Sequence, residues 1–230
     1  FTDSTNDDVW ELVNENELKN GSLVITDDQR NGKGRKNNQW HSSPGQNLTF
    51  SFLLLPEIDI QKIGLISLVA GVGVCEAIKD FCLLDCQLKW PNDILLNGKK
   101  VGGILIESKE IEKKRHLCIG IGLNVNSDLS LLPAEIQENS SALTLEKGHP
   151  LQREPLLAII LNKIENNYLS HLDNITEKWQ IFCAHNQSEV QFNYGGKKIS
   201  GKFLGINEFG YAKIDIGTKI ETFPGGELVL

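Results

Sequence analysis

Several features are absent from the sequence, and each absence excludes a class of protein. The five cysteines include no pair at CxxC spacing, and their odd number does not suit a disulfide framework, so we expect reduced core thiols and no metal site. The longest apolar run, Ile63 to Cys75, is too short to cross a bilayer, and no signal peptide is visible. Methionine is also absent and the chain begins with Phe1, so spacings inside compact motifs carry the most weight. We therefore expect a cytoplasmic protein that does not enter the membrane.

The charge of the chain is acidic overall but basic in one segment. Thirty acidic residues against 23 Lys and Arg give a net charge of −7. This argues against DNA or other nucleic-acid binding, because that affinity comes mainly from neutralising phosphates. Between Gln29 and Pro56 there is no acid, and the cations there are Arg30, Lys33, Arg35 and Lys36. A basic island on an acidic protein predicts an anionic ligand of limited size.

Both helices and strands are predicted along the chain. Val9, Leu12 and Val13 share one face of an amphipathic helix whose cap residues precede it. Helical spacing of apolar residues also runs from Ile63 to Lys79 and from Leu151 to Leu172. An apolar run from Asn47 to Leu55 predicts a buried strand, and several short strands follow Gln87.

The texture of the sequence changes after about Gln187. Short β-like pieces there are separated by glycines, such as Gly195-Gly196 and Gly225-Gly226, which is typical of a small barrel. We therefore expect an α+β fold with two domains, residues 1–186 and 187–230.

The segment from Gln29 to Trp40 is the first candidate for chemistry. Glycines at alternate positions let the backbone approach a ligand closely, and Arg35 can contact phosphate or carboxylate oxygens in a bidentate manner. A Walker A loop is excluded, since no GxxxxGK[ST] is present. On composition alone, a mobile surface loop explains the segment equally well.

Two further segments carry polar residues at the ends of strands. Lys89 to Asp93 is followed by Lys99 to Glu107, and strand alternation lets only one of Lys99 and Lys100 point into a site. A turn decorated with solvated charges is the alternative. In Gly120 to Asn126, glycines inside an apolar strand indicate close approach by something flat.

Taken together and in this order, these segments resemble those of the biotin protein ligases. The GKGR-type loop ending in Trp40, WPND, KKVGGILIE and GIGLNVN all match, as do the opening Asp3 to Asn6 and the closing Phe223 to Glu227. One departure is that Arg35-Lys36-Asn37-Asn38 stands where the family often has Arg-Arg-Gly-Arg. The resemblance implies a central mixed β-sheet packed with helices, similar to class II synthetases, and an SH3-like C-terminal barrel. It also implies a short form without an N-terminal DNA-binding domain.

The resemblance further implies an enzyme that uses ATP and Mg²⁺ to activate biotin as biotinyl-5′-AMP. Biotin is then transferred to a lysine of a biotin carboxyl carrier protein. Arg35 and Lys100 are implied as the cations at the reacting oxygens, and Asp93 as the group that orients the incoming amine. A monomer or a homodimer would fit this role.

The resemblance also assigns binding residues. The biotin contacts that it implies are Ser4, Thr5, Asn6, Gln29, Gly32, Lys33, Gly34, Arg35, Lys100, Gly102 and Gly103. The adenylate contacts that it implies are Arg35, Lys36, Trp40, Asn92 and Asn124. Trp40 would stack on the adenylate, although it could instead be a core aromatic residue.

Three other functions stay open at this point. A lipoate- or octanoate-handling transferase resembles these ligases in fold, and the GKGR-type loop is what favours biotin. A biotin-responsive repressor would need a DNA-binding winged helix ahead of Asp3. A non-catalytic adenylate-binding module is less consistent with the presence of both Arg35 and Lys100.

Overall fold

The computed structural model describes residues 1–170 and 172–229 of the chain. Its helices are α1 (Thr5–Asn14), α2 (Leu65–Cys82), α3 (Ala134–Gln137), α4 (Leu143–Lys147), α5 (Arg153–Ser170) and α6 (Ile175–Phe182). Its strands are β1 (Leu23–Thr26), β2 (Gly32–Lys33), β3 (Gln39–Trp40), β4 (Leu48–Leu54), β5 (Gln87–Lys89), β6 (Asp93–Leu96), β7 (Lys99–Ile111), β8 (Lys114–Leu123), β9 (Glu189–Tyr194), β10 (Lys197–Ile206), β11 (Ala212–Asp215), β12 (Ile220–Phe223) and β13 (Glu227–Val229). No helix within these described ranges is both long enough and apolar enough to cross a membrane.

The chain divides into two compact units. The first comprises Phe1–Glu57 and Lys99–Leu157, and the second comprises Ile58–Gly98 and Ala158–Leu230. Both contain helices and antiparallel strands, so the α+β class predicted from the sequence is confirmed. The predicted domain boundary between residues 186 and 187 stays a prediction.

An antiparallel sheet forms the body of the first unit, with strands in the order β1-β4-β8-β7. The apolar run predicted as a strand becomes β4, in which Leu48, Phe50 and Leu53 are buried. Helix α1 packs Val9 and Trp10 against this strand and its neighbour β8. The three-to-four-residue spacing of its apolar positions puts them on one face, which the sheet removes from water. Burial of that face fixes the N-terminus of α1 beside the loop that follows β1.

The second unit contains α2, α5 residues from Ala158 onward, α6, the β5–β6 hairpin and a C-terminal sheet in the order β12-β11-β10-β9-β13. Alternate residues of this sheet, such as Phe192, Phe203 and Ile214, form its core. Trp90 packs here, with its ring centroid 5.7 Å from that of Phe192 and its indole N–H donating to the Gly210 carbonyl at 3.0 Å. The five-stranded sheet confirms the β structure predicted for this part of the chain.

His185 is a buried titratable group of the second unit. It is 1% exposed, and its ring centroid lies 4.3 Å from that of Phe203 and 6.2 Å from that of Trp179. Among the described residues, no hydrogen-bond partner reaches either ring nitrogen. Burial, assisted by the charge of Lys89, lowers the pKa of His185 to about 4 from an ordinary value of 6.5. The folded chain therefore keeps this imidazole neutral at pH values where the unfolded chain protonates it.

This difference predicts a loss of stability in mild acid. Between pH 6.5 and pH 4 the unfolded state binds a proton at His185 and the folded state does not. As the pH falls through this range, the free energy of unfolding therefore decreases by about 3 kcal/mol. In His185→Phe that part of the pH dependence should disappear, as measured by urea unfolding at pH 7 and pH 4.5. His149→Phe, at an exposed position, is the control and should retain the wild-type slope. Equal slopes for wild type and His185→Phe would refute the assignment.

Candidate active site

The glycine-rich segment predicted from the sequence forms one wall of a cleft in the first unit. The cleft has a volume of about 640 Å³, which is the size range of small-molecule sites. Its lining residues are Asn31, Gly32, Lys33, Gly34, Arg35, Lys36, Asn38, Gln39, Leu105 and Glu107. Five of the predicted site residues therefore line one cavity, while Leu105 and Glu107 come from β7.

The segment is a short hairpin rather than an unstructured loop. Gly32 pairs with Trp40 and Lys33 with Gln39, and the intervening turn contains a 3₁₀ helix at Arg35–Asn37. A Cβ at Gly32 would lie 2.5 Å from the Trp40 carbonyl oxygen, so only glycine fits there. Lys33, Arg35 and Lys36 of the hairpin line the cleft, and its two short strands pair with each other.

The base of this hairpin is tied to the first residues of the chain. The backbone N–H of Arg30 donates to the Thr2 carbonyl at 3.0 Å, and that of Asn31 donates to the Asp3 carbonyl at 2.9 Å. The Asn31 side chain also donates to the Asp3 carboxylate at 3.0 Å. Residues preceding α1 therefore position the entry to the glycine-rich segment.

An ion pair forms a second link, between the hairpin and α1. The Lys33 ammonium pairs with the Asp7 carboxylate, and this hydrogen bond is the main reason that the pKa of Lys33 is raised. Glu107 contributes to the same rise. Lys33 therefore stays protonated, and its ammonium is directed to α1.

A buried polar network lies between α1, β4 and β7. Gln29 accepts from the backbone N–H of Thr5 at 2.9 Å, and the Thr5 hydroxyl is 2.7 Å from that of Ser51. Ser51 donates to the Asn6 side-chain oxygen at 2.6 Å, and Asn6 donates to Glu107 at 2.9 Å. The structure thus brings the predicted residues Thr5, Asn6 and Gln29 together.

Ser51 and Glu107 belong to this network but were not predicted from the sequence. Ser51 is a fully buried polar residue within the apolar run of β4. Glu107 follows Gly103 and Leu105 at strand spacing, so all three share one face of β7. A polar residue inside a buried strand, and an acid in register with a predicted glycine, are the signals that could have identified them.

The Trp40 indole packs against the sheet at two paired glycines. Gly103 and Gly122 are direct partners in the β7–β8 ladder. A Cβ at Gly122 would overlap the Trp40 indole, whereas one at Gly103 would be 3.6 Å from the ring. At Gly122 the indole is the flat group expected from the sequence, whereas at Gly120 the space of a Cβ is taken by the Asn6 side chain. Its buried ring nitrogen has no hydrogen-bond partner among the described residues.

Lys100, at the start of β7, lies near Trp40 and Gly103. Its Nζ atom would be 3.6 Å from a Cβ at Gly103 and lies 5.9 Å from the centroid of a Trp40 ring. The Lys100 ammonium therefore reaches the space beside Gly103 that the Trp40 indole also borders. Arg35 lines the cleft together with Leu105, which shares a face of β7 with Gly103. The joint action of Arg35 and Lys100 on one ligand stays a prediction.

The remaining predicted residues have the following places. Ser4 is buried and precedes α1 in an extended conformation, and Gly102 pairs with Leu123. Asn124 is 4% exposed; its side-chain oxygen accepts from Asn47 at 3.3 Å and its nitrogen donates to the Ser141 carbonyl at 3.1 Å. Asn92 and Asp93 belong to the second unit, where Asp93 begins β6.

Comparison with known proteins gives consistent relatives for this arrangement. The model of the Biotin/lipoate A/B protein ligase family matches residues 1–124, and that of the Biotin protein ligase C terminal domain matches residues 188–230. The bifunctional ligase/repressor BirA of Bacillus subtilis is 31% identical over 232 residues, covering 99% of this chain and 71% of that protein. The biotin–[acetyl-CoA-carboxylase] ligase of Mycobacterium tuberculosis is 24% identical over 244 residues, covering 99% and 86%.

A solved structure shares the fold over almost the whole chain. It is that of the biotin protein ligase from Aquifex aeolicus in complex with biotin and ATP, with a TM-score of 0.85, 30% identity and coverage of 99% of this chain and 94% of that one. The chain belongs to the biotin/lipoate A/B protein ligase family, and within it to the biotin protein ligases.

The packing of the Trp40 indole on Gly103 and Gly122 generates a prediction. Gly122→Ala places a methyl group where the indole lies, so Trp40 must move away from the sheet. The hairpin that Trp40 anchors should then be less protected against hydrogen exchange. Hydrogen exchange of peptides covering residues 32–40 should become faster by roughly tenfold. Gly103→Ala is the matched control, because its methyl group meets the ring and Lys100 at ordinary contact distance. Unchanged exchange in Gly122→Ala would contradict the packing described.

Proposed function

We propose that this protein activates biotin with ATP as biotinyl-5′-AMP, releasing pyrophosphate, and transfers the biotinyl group to a lysine of a biotin carboxyl carrier protein. The observation that carries the proposal is the cation-lined cleft with a glycine-rich hairpin as one wall, whose anchoring tryptophan lies near Lys100. The relative from Aquifex aeolicus is in complex with biotin and ATP. The carrier is inferred from the Mycobacterium tuberculosis relative, which is an acetyl-CoA-carboxylase ligase.

The first step must bring a carboxylate to an α-phosphate, and both carry negative charge. Fixed cations aimed at the reacting oxygens relieve that repulsion and stabilise the charge that develops in the transition state. Arg35 and Lys100 are the residues proposed for this task. Arg35 can hold two oxygens in a plane, whereas the Lys100 ammonium is a movable point charge. Each contact should lower the barrier by about 3 kcal/mol.

Biotin recognition is assigned to the polar network and the hairpin backbone. The ureido ring of biotin is neutral, so it needs matched hydrogen-bond donors and acceptors inside an apolar slot. The hydroxyls of Thr5 and Ser51 can each donate or accept, and the Gln29 amide can do both. Backbone groups from Gly32 to Arg35 complete the proposed ring site. Gly102 and Gly103 are assigned to the valeryl tail.

The adenylate is assigned to a second set of residues, which shares Arg35 with the first. Trp40 offers its ring, Lys36 its charge, and Asn92 and Asn124 their amides. Mg²⁺ would neutralise the phosphates. Glu107 is the carboxylate that lines the cleft, and Asn6 and Trp10 already donate to it. A magnesium ion bound there would therefore be held largely by ATP oxygens and water, as is usual for this ion.

The second step needs an unprotonated lysine, whose ordinary pKa is about 10.4. Asp93 is proposed to orient the incoming amine and to accept its proton. Water must be excluded at the same time, because it would hydrolyse the mixed anhydride. The hairpin, with its base tied to residues 2 and 3 and its arm tied to Asp7, is the element proposed to cover the intermediate. Oligomeric state and cellular location stay predictions.

The first test is the formation of biotinyl-5′-AMP, detected by mass spectrometry after incubation with biotin and Mg-ATP. Lys100→Met should slow pyrophosphate release on the order of 100-fold, because one charge contact to the reacting oxygens is lost. Lys99→Met is the control, since the neighbouring Lys99 side chain is exposed to solvent. If wild type forms lipoyl-AMP instead, the protein is a lipoate ligase; if it forms neither, the proposed activity is wrong.

A second test separates the two steps at Asp93. Asp93→Ala should form biotinyl-5′-AMP at the wild-type rate but transfer biotin to a carrier domain at least about tenfold more slowly, because the attacking amine loses its partner. Single-turnover transfer from preformed adenylate is the measurement. Normal transfer by this variant would remove Asp93 from the mechanism.

A further inference from the structure

Lys100 lies at the beginning of β7, before the strand enters its ladder with β8. That ladder starts at Gly102, so it does not hold the peptide groups of the lysine. Instead the Lys100 N–H donates to the Asn139 carbonyl at 2.8 Å, and the Lys100 carbonyl accepts from the Ser141 N–H at 2.8 Å. These bonds form an isolated parallel bridge between Lys100 and Ser140. A segment far along the chain thus holds the backbone of the candidate catalytic lysine.

The segment is itself fastened by Asn124. The Asn124 side chain donates to the Ser141 carbonyl at 3.1 Å, while the Asn124 carbonyl accepts from the Leu143 N–H at 3.0 Å. Asn124 also donates its backbone N–H to the Val101 carbonyl at 2.7 Å. Asn124 and Ser141 are about 95% buried, so water does not compete for these bonds. One residue, through its backbone and its side chain together, therefore links the end of β8, the start of β7 and residue 141.

A further pair of residues fixes the Asn124 amide. Its oxygen accepts from the Asn47 side chain at 3.3 Å, and the Ser127 hydroxyl donates to the oxygen of Asn47. Both amides are thereby set in one orientation, with nitrogen of Asn124 toward Ser141. The chain Asn47–Asn124–Ser141–Lys100 is continuous through buried hydrogen bonds.

We propose that residues 139–141 position Lys100 for adenylate formation and that Asn124 connects them to the nucleotide site. This rests on the proposed function, in which Lys100 meets the reacting oxygens and Asn124 the adenylate. A lysine side chain has four rotatable bonds, but its Cα–Cβ direction is set by the peptides on either side. Holding both peptides keeps the ammonium over Gly103 and Trp40, and a misplacement of about 1 Å at a catalytic group can cost 100-fold in rate.

The matched variants are Ser141→Pro and Ser141→Ala. Proline removes the N–H that donates to the Lys100 carbonyl but keeps the carbonyl that accepts from Asn124, whereas alanine keeps both groups. In Ser141→Pro the kcat for biotin-dependent pyrophosphate release should fall by about 10- to 100-fold, with KM for biotin changed less than about threefold. Ser141→Ala should match wild type. A wild-type kcat in folded Ser141→Pro would overturn the proposal.

A direct readout of lysine placement is the labelling of Lys100 by an amine-reactive reagent, relative to Lys99 in the same peptide. The ratio should shift at least about threefold in Ser141→Pro and not in Ser141→Ala, since only the former frees the Lys100 carbonyl. A segment that merely supports the fold would leave this ratio unchanged. An unchanged ratio in folded Ser141→Pro therefore refutes positioning.

If Ser141→Pro does not fold, Asn47→Asp tests the same series of hydrogen bonds at a residue that is two links further from Lys100 than Ser141 is. Its carboxylate cannot donate to the Asn124 oxygen, so the labelling ratio should shift in the same direction and kcat should fall about threefold. No shift in either quantity overturns the proposal. The labelling ratio needs no turnover, so it tests positioning even if wild type forms no biotinyl-5′-AMP, an outcome that would refute the proposed function alone.

Discussion

The contact between the Trp40 indole and the paired glycines of β7 and β8 is the constraint on which the candidate site depends. Because neither Gly103 nor Gly122 has a Cβ, the ring reaches the sheet backbone itself. Trp40 ends the hairpin whose turn carries Arg35 and Lys36. The contact of Trp40 with the sheet therefore determines where those two cations lie. Lys100 reaches the same glycine from the start of β7. The turn that carries Arg35 and Lys36 is distant from Lys100 in the sequence, but the positions of both are set relative to Gly103.

Much of the fold was predictable because its signals are local. The apolar run of β4, the helical spacing that became α2 and the glycine-separated strands of β9 to β12 each depend on neighbours in the chain. Bounds shifted by a few residues: the helix predicted from Leu151 to Leu172 is observed as Arg153–Ser170. Helix α6 was missed, since its eight residues are too few to show a period.

The parts of the site that were not predicted depend on pairings between distant residues. Ser51 meets Thr5 across 46 residues, and Glu107 meets Asn6 across 101. Nothing in the local sequence of residues 139–141 indicates that they hold a lysine near residue 100. Asn124 was predicted from a motif, but its bonds to Asn47 and Ser141 follow from sheet geometry and burial. Motifs identified side-chain chemistry, and register decided which side chains meet.

The attachment of the hairpin to Thr2 and Asp3 has a practical consequence for anyone who prepares this enzyme. Two backbone bonds and one side-chain bond join those residues to the entry of the glycine-rich segment. A bulky group placed next to Thr2, such as an affinity tag, therefore acts on the hairpin that is proposed to cover the reactive anhydride. Versions of the protein with and without such a group should be compared before a loss of activated biotin is ascribed to the sequence.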